Sequence, residues 1–161
     1  MCAEGGTPGA PFWLGALRAE DAALASEILG ESPEAVRWSE RATHESLSSQ
    51  GVCGLLSERD GCVTGFIIGR QVADEGEILN LAVRPAWRRH GDGGALVKRL
   101  LALFREKGVT RVFLEVRESN AGGIAFYEGM GFRRIGIRQS YYRDPVEAAI
   151  VMEARTKEFT A

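Results

Sequence analysis

The 161-residue sequence predicts a single α/β domain, and three observations carry that expectation. The length falls within the roughly 100–200 residues typical of one domain and excludes two enzymatic ones. Two apolar runs flank Asp60-Gly61, a dipeptide that signals an antiparallel hairpin. A further apolar run ending Leu81-Ala82-Val83 passes through a glycine-rich turn into an amphipathic helix. With 45% hydrophobic and 26% charged residues, the chain can build a core and is unlike a disordered, collagen-like or coiled-coil sequence.

The elements follow in order. The first ten residues are rich in Gly and Pro and predict a flexible tail, with the domain proper over residues 11–156 and a short C-terminal tail over 157–161. Residues 12–17 read as a short strand, 20–29 as an Ala/Leu/Glu-rich helix and 39–49 as a second, polar helix. Residues 53–57 and 62–71 form the hairpin around Asp60-Gly61, and 77–83 the next strand, interrupted by Pro85. Leu96, Val97, Leu100, Leu101 and Phe104 recur at helical spacing while Lys98, Arg99, Arg105 and Glu106 take the opposite face, so 93–107 is a helix ended by Gly108. A strand over 111–116, a helix over 120–130 closed by Gly131, and strands over 132–139 and 146–153 complete the chain.

The net charge of −2 offers no basic body for gripping nucleic acid. Its distribution is uneven. Residues 1–83 carry 5 basic and 13 acidic side chains, whereas residues 84–111 carry 8 basic and 2 acidic, a local excess that suits an anionic ligand. Cys2, Cys53 and Cys62 are too few and too irregular for a disulfide framework, form no C-x-x-C half-site for zinc, and read as reduced packing thiols. No run approaches the length of a membrane span, and the start lacks the basic and apolar regions of a signal peptide. The expectation is a cytoplasmic protein without membrane contact.

The chemistry concentrates in Arg88-Arg89-His90-Gly91-Asp92-Gly93-Gly94. Glycines allow close approach of a ligand, and the following helix start presents unpaired N–H groups and partial positive charge, which favour phosphate or pyrophosphate. The Rossmann spacing fails because its third glycine would fall at Leu96, and a Walker loop fails for want of Gly-Lys-Ser/Thr. Asp92 reads as the N-cap of the helix rather than a carboxylate facing the anion. On the 111–116 strand, Val112, Leu114 and Val116 share one face and Phe113 and Glu115 the other; by position alone Glu115 is a solvated strand carboxylate. Asn120 can cap its helix, contact a ligand, or do both. Tyr127 lies in helical register with Asn120 and Ile124, a spacing that suits a core aromatic. His44 and His90 have no partner at triad or metal spacing, so neither is assigned a catalytic role.

Arg88-x-x-Gly91-x-Gly93 after Leu81-Ala82-Val83 resembles the Gln/Arg-x-x-Gly-x-Gly/Ala pattern of the GCN5-related N-acetyltransferases. Leu114-Glu115-Val116-Arg117-Glu118-Ser119-Asn120, Ala125-Phe126-Tyr127-Glu128-Gly129-Met130-Gly131-Phe132 and Tyr141-Tyr142 resemble the RimI branch of that family, the N-terminal alanine acetyltransferases of ribosomal protein S18. The likeness covers about residues 77–153, with Trp38-Ser39-Glu40 earlier. It departs from the family pattern at Asp92, usually aliphatic, at Gly94, commonly basic, and at Val36-Arg37-Trp38 in place of Phe-Pro-Trp. The resemblance implies a mixed α/β sheet splayed open around acetyl-CoA, with flanking helices and no metal. It implies cofactor contacts from Leu81, Ala82, Val83, Arg88, Arg89, His90, Gly91, Asp92, Gly93, Gly94 and Asn120. It further implies Glu115 as general base, Tyr127 as acid, and Trp38, Tyr141 and Tyr142 along the acceptor, a protein N-terminus such as that of S18. A small amine or protein lysine as acceptor, and a CoA-binding module without turnover, remain alternatives at this point.

Overall fold

The computed structural model describes residues 11–159. The expected N-terminal tail, residues 1–10, lies outside that range, as do the last two residues of the expected C-terminal tail. Seven strands form one mixed sheet in the order β1-β2-β3-β4-β5-β7-β6: β1 Phe12–Leu17, β2 Val52–Arg59, β3 Cys62–Val72, β4 Glu75–Val83, β5 Arg111–Arg117, β6 Arg133–Tyr142 and β7 Glu147–Arg155. Among the described residues four helices accompany them: α1 Ala22–Gly30, α2 Glu40–Leu47, α3 Asp92–Glu106 and α4 Ala121–Gly129. The chain divides into two compact units, one made of the chain through Arg70 with Asn80–Leu100, the other of Gln71–Leu79 with the chain from Leu101 on.

In the first unit β1, β2 and β3 are antiparallel neighbours. The turn between β2 and β3 has Asp60 at φ 51° and Gly61 at φ 73°, the two left-handed residues that a tight hairpin turn compatible with strand twist requires. The register shifts between Ser57 and Glu58, and the Ser57 and Thr64 hydroxyls meet at 2.8 Å. Phe66, Ile67 and Ile68 are fully buried; three consecutive buried residues mark a strand covered on both faces. Helix α1 buries Ala22, Ala25, Ile28 and Leu29. It starts two residues later than expected, because residues 19–21 form a 3-10 turn. Helix α2 begins after Ser39, whose hydroxyl accepts from the Ala42 N–H at 3.0 Å, the cap that its sequence position suggests. Cys62, buried at the start of β3, is disulfide-bonded, which corrects the expectation of three reduced thiols.

In the second unit, residues 75–78 of β4 pair in parallel with residues 111–114 of β5, and β5 and β6 pair antiparallel with β7. Val112, Leu114 and Val116 are buried while Phe113 and Glu115 are half-buried, the alternation expected of that strand. Strand β6 is the edge, longer than expected, and is exposed from Arg133 through Tyr141. Ile135 and Ile137 lie on it between arginines, charges of the kind that discourage edge-to-edge pairing.

Gly76 shows how tightly this unit packs. A Cβ there would lie 2.8 Å from two ring carbons of Phe104, itself 1% exposed, and 3.2 Å from Val109. Gly76→Ala is expected to cost about 1–3 kcal/mol by overpacking, and Phe104→Leu in the same chain to return part of that loss. Urea unfolding of the two single variants and the double variant measures the coupling; additive losses would contradict the contact.

Candidate active site

In the first unit the candidate anion-binding turn is held before it starts. At the exit of β4, buried Arg84 bonds the Val63 carbonyl at 2.8 Å and Glu31 at 2.5 Å, and pairs with Glu27 at 3.1 Å. Residues 85–87 make a 3-10 turn with Trp87 buried. Arg89 then adopts φ 63° and Gly91 φ 88°, and the Gly91 carbonyl accepts the Ala95 N–H at 3.0 Å, the first bond of α3. A Cβ on Gly91 would point into open space, so glycine is required there for its backbone conformation and for whatever approaches it. The helix start therefore offers its unpaired N–H groups beside an unobstructed surface.

The three basic side chains of this turn differ in how far they are committed. Arg88 bonds the Val83 carbonyl at 3.1 Å and Ser32 at 3.3 Å, and pairs with Glu34. His90 Nδ1 lies 3.1 Å from the Trp87 carbonyl and 2.9 Å from that of Arg88. Arg89 is exposed and has no ion-pair partner among the described residues. Asp92 departs from expectation. Its carboxylate, 0% exposed, accepts from Arg59 Nε at 2.8 Å and from the Thr64 hydroxyl at 2.5 Å, so both oxygens point into the sheet and neither caps the helix. On β4, Ala82 is buried and Leu81 and Val83 half-buried. Trp38 is half-buried just after Val36, whose carbonyl is held by Asn80 Nδ2 at 3.1 Å.

In the second unit the candidate base has two partners. Arg138 Nη1 bonds Glu115 Oε1 at 2.5 Å, and the neighbouring Glu115 carboxylate raises the pKa of the Tyr141 phenol. The guanidinium of Arg138 lies 4.9 Å from the Tyr141 ring centre, and Tyr141 meets Tyr142 edge to face at 5.0 Å. Burial pushes Tyr142 up to about 12, helped by Glu115 and opposed by Arg117, whose guanidinium sits 4.4 Å over its ring. Tyr127 packs edge to face against Phe126 and Phe132 at 5.1 and 5.6 Å. Loss of water around its phenol raises the pKa well above 10, with a smaller contribution from Tyr142. It therefore stays protonated at neutral pH. The Asn120 side chain accepts the Gly123 N–H at 2.9 Å, so it is the cap of α4; a Cβ on Gly123 would meet that side chain at 2.6 Å.

Glu115 thus raises the pKa of both Tyr141 and Tyr142, and Tyr127 lies on the helix that Asn120 caps. No hydrogen bond links Glu115 with Tyr127 among the described residues. Sequence reasoning passed over Arg59, Thr64, Arg138 and Glu147, all placed by long-range pairing that local spacing does not signal. Glu147 accepts from the Ser119 N–H at 2.9 Å, the Ser119 hydroxyl at 3.0 Å and Arg117 at 3.3 Å, and so fixes the approach to α4. Among the described residues no group of His, Cys, Asp and Glu could hold a metal ion.

These features are those of an acetyl-transfer fold, and comparison with known proteins agrees. Residues 20–132 match the model of the acetyltransferase (GNAT) family, and the chain belongs to that family. It is an acetyltransferase. At 38% identity over 117 residues, it is similar to the ribosomal protein bS18-alanine N-acetyltransferase of Escherichia coli K12, with 71% of this chain and 78% of that one covered. It is 32% identical over 142 residues to the N-alpha-acetyltransferase RimI of Mycobacterium tuberculosis H37Rv, covering 83% and 85%. The crystal structure of the Escherichia coli ribosomal-protein-S18-alanine N-acetyltransferase superposes with a TM-score of 0.80 at 32% identity over 91% of this chain and 94% of that one. An N-acetyltransferase of Thermoplasma acidophilum in complex with coenzyme A, 20% identical with a TM-score of 0.74 over 90% and 99%, shares the fold.

The Glu147 cluster predicts a pH dependence. Bonds from Ser119, then Arg117, hold its carboxyl below the usual range, so it stabilises the fold above the unfolded carboxylate value and that contribution is lost as pH falls through the folded value. Melting temperature followed from about pH 6 to about pH 3 is expected to fall less in Glu147→Gln than in wild type. Parallel curves would contradict the tie.

Proposed function

We propose that the protein transfers the acetyl group of acetyl-CoA to the N-terminal α-amine of a protein, an alanine-initiated terminus such as that of ribosomal protein S18, in the cytoplasm. The carrying observation is Glu115: a half-buried strand carboxylate, on a chain 38% identical to an S18-alanine N-acetyltransferase, bonded by Arg138 and lying beside the Tyr141 phenol, whose pKa it raises.

The residues present fit the donor. The start of α3 presents N–H groups, Gly91 leaves open space, and Arg89 is exposed with no ion-pair partner among the described residues, while the carboxylate of Asp92 is turned away and matched by Arg59. Arg88, Arg89, His90, Gly91, Gly93 and Gly94 would hold the pyrophosphate with Asp92 supporting from behind, and residues Leu81, Ala82 and Val83 the pantetheine arm; the family likeness adds Asn120 as a cofactor contact. Residues 81–83 lie past the end of the β4–β5 ladder, so their N–H groups suit polarisation of a carbonyl. When bound, acetyl-CoA supplies the activated acetyl thioester.

Glu115 takes a proton from the amine, directly or through water. A peptide α-amine with a pKa near ~8 is about 10% neutral at pH 7, a lysine near ~10.4 only about 0.04%. A weak base therefore works on an N-terminus with an advantage of roughly 3 kcal/mol. Tyr127, kept protonated by desolvation, holds the proton for the leaving thiolate; the same desolvation raises a thiolate's affinity for that proton. Trp38, Tyr141 and Tyr142 line the acceptor's path.

Thiol release with an Ala-Arg-initiated peptide tests this. Glu115→Gln is expected to lower turnover by about 10²–10⁴-fold while calorimetry shows unchanged CoA affinity; near-normal turnover would return Glu115 to a solvated carboxylate. Tyr127→Phe is expected to lower turnover by roughly 10²-fold with little change in melting temperature. The loss should shrink for a thioester with a more acidic leaving thiol, and an equal loss for both would count against Tyr127 as the acid.

A further inference from the structure

We infer that Arg59, at the end of β2, is a positioning residue for the diphosphate ester of the acetyl donor: with Asp92 and Thr64 it fixes the turn over residues 89–92 in its binding shape. The inference rests on the reading of that turn given under the proposed function.

Within the turn, Arg89 and Gly91 both sit at positive φ, 63° and 88°, on either side of His90. A non-glycine residue there is strained and persists only where surrounding contacts over-determine it. The backbone supplies few of those contacts: the Arg88 N–H reaches the Pro85 carbonyl at 3.3 Å, and the next bond is that of Ala95 to Gly91. Arg59 supplies what is missing. Its Nη2 bonds the His90 carbonyl at 3.0 Å, and its Nε and Nη2 both lie 2.8 Å from Asp92 Oδ1. One planar fork thus ties the middle of the turn to the first residue of the helix, a geometry a single ammonium cannot reproduce.

The tie is itself braced. The guanidinium lies 4.6 Å from the Phe12 ring centre, which orients its plane. Asp92 Oδ2 takes the Thr64 hydroxyl at 2.5 Å, and Thr64 meets Ser57 at 2.8 Å. Arg59 is 17% exposed and its charge is matched by Asp92, so it acts on the ligand through the turn. Asp92 is then half of a device: it draws Arg59 inward to grip the His90 carbonyl.

Arg59→Met leaves the Asp92 carboxylate buried without its cation, so the main variant is Arg59→Lys, which keeps the charge and loses the fork. Three measurements are made on wild type and variant: amide hydrogen exchange without ligand, calorimetric titration with CoA, and steady-state kinetics with acetyl-CoA. In Arg59→Lys, the amides of Arg88 and Ala95, whose bonds bracket the turn, are expected to exchange about tenfold faster while those of β3 keep their rates, and CoA is expected to bind about tenfold more weakly. The KM for acetyl-CoA should rise with kcat within about twofold. Unchanged exchange in the turn, unchanged CoA affinity, or a fall in kcat equal to the rise in KM would each overturn the inference. Absence of CoA binding by wild type would instead show that the reading of the turn fails, and the inference with it.

Discussion

A carboxylate with no exposed surface, Asp92 at the first residue of α3, governs how the first unit of this protein is built. Burying that group without partners would cost several kcal/mol, and removing one partner of such a pair costs about 3–5 kcal/mol. Arg59 and Thr64 come from two neighbouring strands, so the pair fixes where the helix starts relative to the β2–β3 hairpin, whose register shifts at Ser57/Glu58, next to the Ser57–Thr64 contact. With the helix start fixed, its N–H groups and the left-handed Gly91 follow. The same arrangement resolves an apparent conflict, since a carboxylate beside a pyrophosphate would repel it, whereas this one faces inward against a guanidinium.

The proposed proton handling in the second unit depends on partial commitment. Glu115 is held by Arg138 of the exposed edge strand, so its carboxylate is oriented yet reachable. Tyr127 is the opposite case, a phenol in an aromatic setting that stays protonated. Arg117 ties the surroundings together: it sits over Tyr142, pairs with Glu147, and bonds the carbonyls of Arg143 and Pro145 at 3.4 Å each. The turn from β6 to β7 and the start of α4 thereby share one cation.

Much of the fold was legible because it is written in short-range periodicity. The alternation at residues 111–116, the helical stripe from Leu96 to Phe104 and the Asp60-Gly61 turn needed no tertiary information, and Ser39 and Asn120 followed cap chemistry. The Gly91 turn was legible too, since glycine types and a basic block announce it. Asp92 was misread because capping and burial use the same residue type, and the choice was made by Arg59, 33 positions away. Arg138 and Glu147 are unremarkable in sequence; pairing of β6 and β7 with the β5 region gives them partners. Cys62 was misread for the same reason, as covalent pairing cannot be inferred from three irregular cysteines. The family likeness, rather than spacing, raised Glu115 and Tyr127 above ordinary strand and core residues.

The account turns on the acceptor being an α-amine, and a direct competition decides it. Wild-type protein is given acetyl-CoA with three acceptors in parallel: an Ala-Arg-initiated peptide with a free N-terminus, the same peptide with its N-terminus blocked and a lysine added, and spermine. Thiol release is followed, and mass spectrometry places the acetyl group. The account predicts transfer to the free N-terminal alanine and no comparable transfer to the lysine or to spermine. Faster transfer to the blocked lysine peptide or to spermine would contradict it.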